Sequence, residues 1–347
     1  MTSSRFSRGV MLAAVALLVG WPAASRAQDD YVDEILATRR VFESVGPGLR
    51  AIRRDAAGHY YLLTAPGTAV LVFDAQGKGL RQVPPAPNPP GPAAEAASTT
   101  TPSPNAIVFG EGLDVDTDGR VYVADRGANL VRVFNPDGTP SLTIPIVGPN
   151  SVAAIGEGEI AVATAKSPRL VTVFDRRGKV VREFGDPAEM AERPDLNRFL
   201  NIGHLDTDAH GHLYYSFAFL PEPTVRKYDR LGYASLVIEA NTIDSEPEAQ
   251  AVRREIARQE HGGAPVFKPV VTALGVDPQT EDVWISIGGR LLHFDREGVR
   301  RAEYRIFTPT GGRLEATTIL VEPGRLLVGG DPLGVYEFAR PDKKTQQ

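Results

Sequence analysis

The chain has 347 residues, of which 42% are hydrophobic and 23% are charged, the balance of an ordinary globular protein with a large core. Its formal net charge of −5 argues against nucleic acid or an anionic membrane surface as a partner. The absence of cysteine excludes disulfides, thiolate metal sites and a cysteine nucleophile.

The first 27 residues have the layout of a secretory signal peptide. Arg5 and Arg8 precede an apolar run over residues 10–19, and the small residues Ser25 and Ala27 stand at cleavage positions. An uncleaved anchor is the alternative. Cleavage after residue 27 removes three Arg and no acid, which leaves 35 basic and 43 acidic residues and a net charge of −8. We therefore expect export to the periplasm or the extracellular space, with no membrane insertion of the mature chain.

A short N-terminal segment, residues 28–37, precedes a stretch that reads as a single strand. In TRRVFESV, residues 38–45, Val41, Glu43 and Val45 alternate with Phe42 and Ser44. It stands alone before the first complete unit, as an orphan strand.

From there to residue 340 one pattern recurs six times. Each unit has a glycine turn, then an apolar run that ends in an aromatic residue, then a second turn. The first turn and the aromatic residue are separated by 16 to 20 positions in the pairs Asp55 and Phe73, Asp116 and Phe134, Gly156 and Phe174, Asp208 and Tyr228, Asp277 and Phe294, and Glu322 and Phe338. The pattern predicts four short strands per unit joined by tight hairpins. Tandem four-stranded units predict an all-β, six-bladed β-propeller over residues 38–340.

The second unit carries the most specific motif, GLDVDTDGRVYVADRGANLVRVFNPDG. In it the chain resembles the NHL-repeat family of six-bladed propellers. The resemblance extends over about residues 48–340 and is weakest in the fifth and sixth units.

The same unit contains the spacing of a calcium loop. Asp114, Asp116 and Asp118 alternate before Gly119, and Asp125 stands where a last carboxylate ligand would be. A blade places these residues on a strand and a hairpin, which would scatter the carboxylates over opposite faces. We therefore interpret the spacing as a hairpin and not as a calcium site.

The long insertions predict which face of the propeller binds ligands. We call the face with the two tight hairpins of each blade the turn face, and the opposite one the crossover face. The insertions all fall on the crossover face, at residues 84–105, 185–201, 217–223 and 240–268. Loops grown on one side of a rigid scaffold commonly carry the binding site.

Two of these insertions have compositions that predict their local structure. Residues 84–105 are rich in Pro, Ala and Thr and predict a flexible loop. Residues 245–261 predict one short helix, with Ser245 as its cap and Gly262 as its stop. Its apolar stripe is only Ala249, Val252 and Ile256, so we expect either a lid over the crossover face or a decorative helix.

The sixth unit ends after its third strand, and the tail at residues 341–347 is polar. One strand is missing there, and the orphan stretch 38–45 is available. We predict that this N-terminal strand closes the ring without a free edge.

Polar residues enter each inner strand where the channel should open on the crossover face. The predicted channel-mouth residues are Arg50, Glu111, Asn150, Ser151, His204, Thr272 and Thr317. Glu111, Asn150 and His204 together offer the oxygen and imidazole ligands of a divalent cation.

That trio suggests an enzymatic alternative. Gluconolactonase-type propellers, which the chain resembles only in overall fold, use a channel metal to polarise a lactone carbonyl. Their motif implies a late channel aspartate that has no evident counterpart here. The amidating lyases of the NHL group imply several channel histidines around zinc, and only His204 is suitably placed.

The sequence therefore favours an exported binding module for a protein, peptide or saccharide. This interpretation requires no cofactor. A metal-dependent lactone or ester hydrolase, with a cation such as calcium, is the alternative, and a structural role in an envelope complex remains open.

Overall fold

The computed structural model describes residues 32–42, 45, 48–86, 105–241, 246–262 and 266–341, and these form six blades. Blade 1 contains β3 (Leu49–Arg54), β4 (Tyr60–Thr64), β5 (Val70–Phe73) and β6 (Gly79–Val83). Blade 2 contains β7 (Gly110–Val115), β8 (Val121–Asp125), β9 (Leu130–Phe134) and β10 (Pro140–Pro145). Blade 3 contains β11 (Pro149–Gly156), β12 (Glu159–Thr164), β13 (Val171–Phe174) and β14 (Val180–Phe184).

The second half of the ring follows the same plan. Blade 4 contains β15 (Gly203–Thr207), β16 (Leu213–Phe217), β17 (Thr224–Tyr228) and β18 (Ala234–Glu239). Blade 5 contains β19 (Val271–Val276), β20 (Val283–Ile287), β21 (Arg290–Phe294) and β22 (Arg300–Phe307). Blade 6 contains β23 (Glu315–Glu322), β24 (Arg325–Asp331) and β25 (Gly334–Ala339). The predicted six-bladed propeller is confirmed.

The ring closes around a central channel. In each blade the first strand is innermost, and it contacts the innermost strand of the next blade. The circle is completed because β23 of blade 6 contacts β3 of blade 1. The channel therefore runs between the six innermost strands.

The N-terminal strand supplies the missing strand of blade 6. β2 (Arg39–Val41) pairs antiparallel with β25, from Arg39 opposite Glu337 to Val41 opposite Val335. This confirms the predicted closure for residues 39–41, while Glu43 and Ser44 lie outside the described residues. Phe42, 7% exposed, then inserts its ring against Tyr60 and Phe73 of blade 1, at centroid distances of 5.1 and 4.9 Å.

A further strand precedes β2 and was not predicted. β1 (Asp33–Leu36) lies parallel to β22 and makes blade 5 five-stranded. The sequence predicts only an N-terminal segment over residues 28–37. The four residues of β1 have no hairpin partner beside them in the sequence, so they give no strand signal of their own. The N-terminal chain thus joins blades 5 and 6 from outside.

Three of the hairpins on the turn face share one hydrogen-bonding device. The turn aspartate accepts backbone N–H groups of its own turn, a glycine with positive φ follows three residues later, and a tyrosine hydroxyl three residues further donates to the aspartate. The sets are Asp55, Gly58 and Tyr61; Asp116, Gly119 and Tyr122; and Asp208, Gly211 and Tyr214. The device explains why the Asp-x-x-Gly spacing recurs.

The aromatic series at the ends of the third strands belongs to the core. Phe73, Phe134, Phe174, Tyr228, Phe294 and Phe338 are each at most 4% exposed. Each lies in a core cluster with residues of an adjacent blade, which confirms the prediction that they pack between blades.

Two helices lie in crossover insertions of the described chain, where one helix was predicted. α2 (Glu246–Gln259) buries Ala249 and Val252 of the predicted stripe against the core. α1 (Pro194–Leu200) lies in the insertion at 185–201, and Arg193 at its start donates to the carbonyl of Gln259 at 2.6 Å. Its seven residues were too few to show a helical period in the sequence, although Pro194 at the first helical position is typical of a helix start.

Several predictions concern residues outside the described part of the chain. These are the signal peptide at 1–27, the loop over 87–104, the cap Ser245 and the tail over 342–347. Among the described helices, neither has the length and apolar character needed to cross a membrane.

Candidate functional site

The inner strands carry a β-bulge where they enter the channel. In five of the six, the pairing register with the second strand shifts by one residue at the second or third position. The extra, unpaired residues are Arg50, Glu111, Asn150, Thr272 and Thr317. In blade 4 the register is regular, and His204 lies opposite Ser216. Five of the seven predicted mouth residues therefore occupy irregular positions of their strands, where a bulge re-aims the side chain.

Most of these residues meet in one place. A narrow cavity inside the channel is lined by Arg50, Glu111, Asn150, Ser151, His204 and Thr317, together with Arg53 below them. A wider cavity of about 360 Å³ opens above it and shares Arg50, Glu111, His204 and Thr317. Thr272 is not part of either lining as described, and its hydroxyl lies 3.4 Å from the carbonyl oxygen of Ser286. The structure therefore brings six of the seven predicted residues together.

Two arginines share one carboxylate at the mouth. Glu111 Oε2 lies 3.2 Å from Arg50 Nη1, and Glu111 Oε1 lies 3.2 Å from Arg126 Nη1. The Arg50 guanidinium also stacks 4.4 Å from the ring centroid of Phe109. This group carries one excess positive charge, which favours an anionic ligand and disfavours a cation beside Glu111.

Asn150 and His204 offer free acceptor atoms. Asn150 Nδ2 donates to the carbonyl of Gly203 at 2.5 Å, while its Oδ1 is buried with no hydrogen-bond partner among the described residues. Burial, reinforced by the charge of Arg53, lowers the pKa of His204 to about 4. The imidazole is therefore neutral at pH 7 and keeps a lone pair for a ligand.

Below the mouth, Arg53 of blade 1 lies between two carboxylates of other blades. Its Nε lies 3.2 Å from Asp114 Oδ1 of blade 2, and its Nη2 lies 3.9 Å from Asp206 Oδ1 of blade 4. Nη2 also donates to the carbonyl of Leu205 at 3.3 Å. One guanidinium thus links three blades across the channel.

The charges of this group are strongly coupled. Burial raises the pKa of Asp114 to about 6, and Arg53 only partly opposes the shift. Burial also raises the pKa of Asp206, again against the effect of Arg53. Burial alone would lower the pKa of Arg53, but Asp206 and Asp114 outweigh it and the pKa rises. The guanidinium is therefore the group that opposes the rise in the pKa of both carboxylates.

The same residues connect the blades through the backbone. The free N–H groups of the inner strands are accepted by polar side chains of neighbouring blades. The pairs are Ala154 N to Asp114 at 2.7 Å, Leu205 N to Ser151 at 3.0 Å, Val276 N to Asp206 at 2.9 Å and Ile52 N to Thr318 at 3.3 Å. Ser151, predicted as a ligand-binding residue, has its hydroxyl engaged in this way.

The sequence interpretation did not find Arg53, Asp114 and Asp206 as channel residues. A signal was present, because Arg53 and Asp114 each lie three positions after a mouth residue, Arg50 and Glu111. In a regular strand, residues two positions apart point to the same face, so Arg53 and Asp114 would point away from the channel. The bulge shifts this alternation by one residue and turns both side chains into the channel.

The carboxylates with calcium-loop spacing point in different directions. Asp114 faces Arg53 in the channel, and Asp116 accepts the N–H groups of Asp118 and Arg120 in its turn, each at 2.9 Å. Asp125 accepts the N–H groups of Val108 and Phe109 at 3.0 Å. The arrangement is that of a hairpin.

Comparison with known proteins supports the family resemblance. The NHL repeat model matches residues 111–134, which begin in β7 and end at the last residue of β9. The chain carries an NHL repeat. A propeller fold with such a repeat supports a binding or scaffold module. Comparison with curated protein sequences gives no match.

Solved structures show the same fold at low sequence identity. A streptogramin B lyase is similar with a TM-score of 0.52 and 12% identity, over 85% of this chain and 83% of the lyase. Virginiamycin B lyase from Staphylococcus aureus gives 0.51 and 13%, over 88% of each chain. Kuenenia stuttgartiensis hydrazine synthase gives 0.51 and 11%, over 92% of this chain and 99% of the matched chain. These likenesses establish the propeller fold.

Proposed function

We propose that the protein is an exported propeller that binds a protein segment, peptide or saccharide at the channel mouth on the crossover face. The observation that carries the proposal is the convergence of bulged polar side chains from several blades on one cavity. Bulges of this kind are common beside binding sites, where they aim a side chain at a ligand.

The charge of the mouth favours a ligand with an acidic group. The two positive charges of Arg50 and Arg126 outnumber the one negative charge of Glu111. A peptide carboxylate or an acidic sugar can pair with an arginine bidentately. Asn150 Oδ1 and the neutral His204 add acceptor atoms for hydroxyl or amide donors. The mouth therefore fits a polar, partly anionic ligand.

The test begins with a screen of envelope saccharides, peptides and lactones against the mature protein. Replacing Arg50, Glu111 and His204 together by Ala should weaken binding of the selected ligand at least about tenfold, because each removes a polar contact at the mouth. The three residues lie at strand entries outside the blade core, so the free energy of unfolding should change by only about 1 kcal/mol. Titration calorimetry and thermal unfolding measure the two quantities.

A matched variant on the turn face controls for loss of charge. Arg230, His59 and Glu157 are replaced together by Ala, which also removes one basic, one imidazole and one acidic side chain. This variant should bind as the parent does. If it loses binding while the channel-mouth variant keeps it, the ligand site is on the turn face and the proposal is wrong.

Export rests on the signal layout of residues 1–27. N-terminal sequencing of the exported protein should begin at Gln28. Recovery of the chain with an intact Met1 from the soluble cytoplasmic fraction would contradict this part of the proposal.

A metal-dependent lactone or ester hydrolase is the second candidate. It is favoured by the unpartnered Asn150 Oδ1 and the neutral His204, which could both coordinate a cation. Coordination of a cation by Glu111 would break the ion pairs that this carboxylate forms with Arg50 and Arg126. Hydrolysis of a lactone that depends on an added divalent cation, and is lost in Glu111→Gln, would support this candidate over the binding module. The lyase names of two similar structures carry no argument for a lyase activity, because the identity is 12–13%.

A further inference from the structure

A second group of polar side chains lies on the turn face between blades 4 and 5. It is not part of the binding site proposed at the channel mouth. Asp208, His212 and Glu281 each offer a ligand atom, and these atoms all lie within 4.8 Å of one another. We call these three residues the 208–281 cluster. It is the one such group of His, Asp and Glu found in the part of the chain that the structure describes.

The cluster is held by the backbone of two blades. Ala209 N donates to the carbonyl of Pro278 at 2.9 Å, which ties the turn of blade 4 to the turn of blade 5. Asp208 is fully buried at its side chain, and its Oδ2 lies 2.8 Å from His212 Nδ1. Glu281 has a φ of 63°, a left-handed conformation that side chains rarely adopt and that is often kept at functional sites. The ligand atoms are therefore positioned before any ligand arrives.

The donor set is that of zinc. One imidazole with two carboxylates suits Zn²⁺ better than Ca²⁺ or Mg²⁺, which prefer oxygen alone. Tetrahedral bonds of about 2.0–2.2 Å place neighbouring ligand atoms about 3.3–3.6 Å apart. The ligand atoms of the cluster lie within 4.8 Å of one another, so small side-chain movements bring them to that spacing. His210, with Nε2 3.5 Å from Glu281 Oε1, is placed to complete the coordination.

A lysine now occupies the centre of the cluster. Lys227 Nζ lies 2.5 Å from Glu281 Oε2 and 3.8 Å from Asp208 Oδ2, and its side chain is 10% exposed. Its single charge leaves the two carboxylates with one net negative charge. The ammonium is thus a resident cation that a divalent metal must displace.

We propose that the 208–281 cluster is a zinc site in which Lys227 competes with the metal. Asp208, His212 and Glu281 are the protein ligands, and the Lys227 side chain turns outward when the metal binds. The site is separate from the channel mouth and does not depend on the ligand proposed there.

Blade 1 provides a natural comparison. Asp55 Oδ2 lies 2.9 Å from His59 Nδ1 and accepts the Tyr61 hydroxyl at 3.0 Å, as Asp208 does with His212 and Tyr214. The described neighbours of that group do not include a second carboxylate within ligand distance. Glu281 therefore supplies the third ligand that distinguishes the 208–281 cluster from the corresponding hairpin of blade 1.

The experiment is titration of the full mature chain, purified without a polyhistidine tag and stripped with EDTA, with ZnCl₂. We expect one Zn²⁺ per chain by calorimetry, and tetrahedral d–d absorption when Co²⁺ is used instead. His212→Ala and Glu281→Gln should each weaken binding at least about tenfold. Lys227→Met should tighten binding by a similar factor, because it removes the competing ammonium. His59→Ala should bind as the parent does.

Two results would overturn the proposal. One is the absence of stoichiometric zinc in both the parent and Lys227→Met. The other is zinc that survives His212→Ala and Glu281→Gln but is lost in Glu111→Gln, since the metal would then lie in the channel. Glu281→Gln conserves the shape of the side chain, so it remains informative even if His212→Ala fails to fold.

Discussion

Replacing Arg53 by Met should destabilise the protein by about 3–5 kcal/mol at pH 7, because it leaves Asp114 and Asp206 as buried carboxylates without a countercharge. The methionine fills much of the vacated volume, so the loss is electrostatic and does not come from a cavity. Chemical denaturation followed by tryptophan fluorescence measures it. Arg230→Met, at an exposed ion pair with Glu157, should cost no more than about 1 kcal/mol.

The pH dependence of the Arg53→Met variant identifies the cause. Without the guanidinium the pKa of Asp114 should rise above its present value of about 6, so the folded state binds protons more strongly than the unfolded chain. Stability lost at pH 7 should therefore return as the pH falls through the folded pKa toward the unfolded value near 3.8. Adding Asp114→Asn and Asp206→Asn should restore stability at pH 7. A loss that is the same at pH 7 and pH 5 would contradict this account.

Removing the N-terminal closure should also have a large effect, and it should be graded. A chain that begins at Ala37 loses only β1, whose side chains are half exposed, and should be about 1 kcal/mol less stable. A chain that begins at Phe42 also loses β2 and leaves the edge of β25 unpaired. A chain that begins at Val45 further loses the buried Phe42 ring, worth about 3–5 kcal/mol by itself.

Differential scanning calorimetry of the three truncations gives the order of their melting temperatures. Phe42→Ala in the otherwise intact chain separates the contribution of the ring from that of the strands. Equal melting temperatures for all three truncations would mean that the ring is held closed by contacts other than β2 and Phe42.

The architecture could be predicted from the sequence because its signals are local and repeated. The turn aspartate and glycine, and the aromatic residue 16 to 20 positions later, mark each blade independently of the others. Counting strands then showed that blade 6 lacked one and that residues 38–45 could supply it. The pairing of β2 with β25 follows from that count, although the two strands lie almost 300 residues apart.

The channel was predicted less completely, for a geometric reason. The mouth residues were found because each follows a crossover, but the bulges beneath them shift the side-chain period by one. A side-chain period of two therefore assigns Arg53 and Asp114 to the opposite side of their strands. β1 was missed because parallel pairing with β22 depends on a strand assembled elsewhere, and no pattern within four residues encodes that partner.

The 208–281 cluster could be predicted even less completely. His210, His212 and Asp208 were visible in one turn, but the second carboxylate comes from blade 5, about 70 residues later. Glu281 reaches the cluster from a left-handed backbone conformation, with a φ of 63°. Neither the proximity nor that conformation has a signature in the sequence.

The central claim is that the ligand binds at the channel mouth on the crossover face. Hydrogen–deuterium exchange of the chain from residue 28 onward, with and without the ligand selected by screening, tests it most directly. The account predicts slower exchange at residues 49–51, 110–113 and 203–205, where the inner strands enter the channel, and unchanged exchange in the turns at 55–59 and 208–212. Protection confined to those turns, with none at the strand entries, would contradict it.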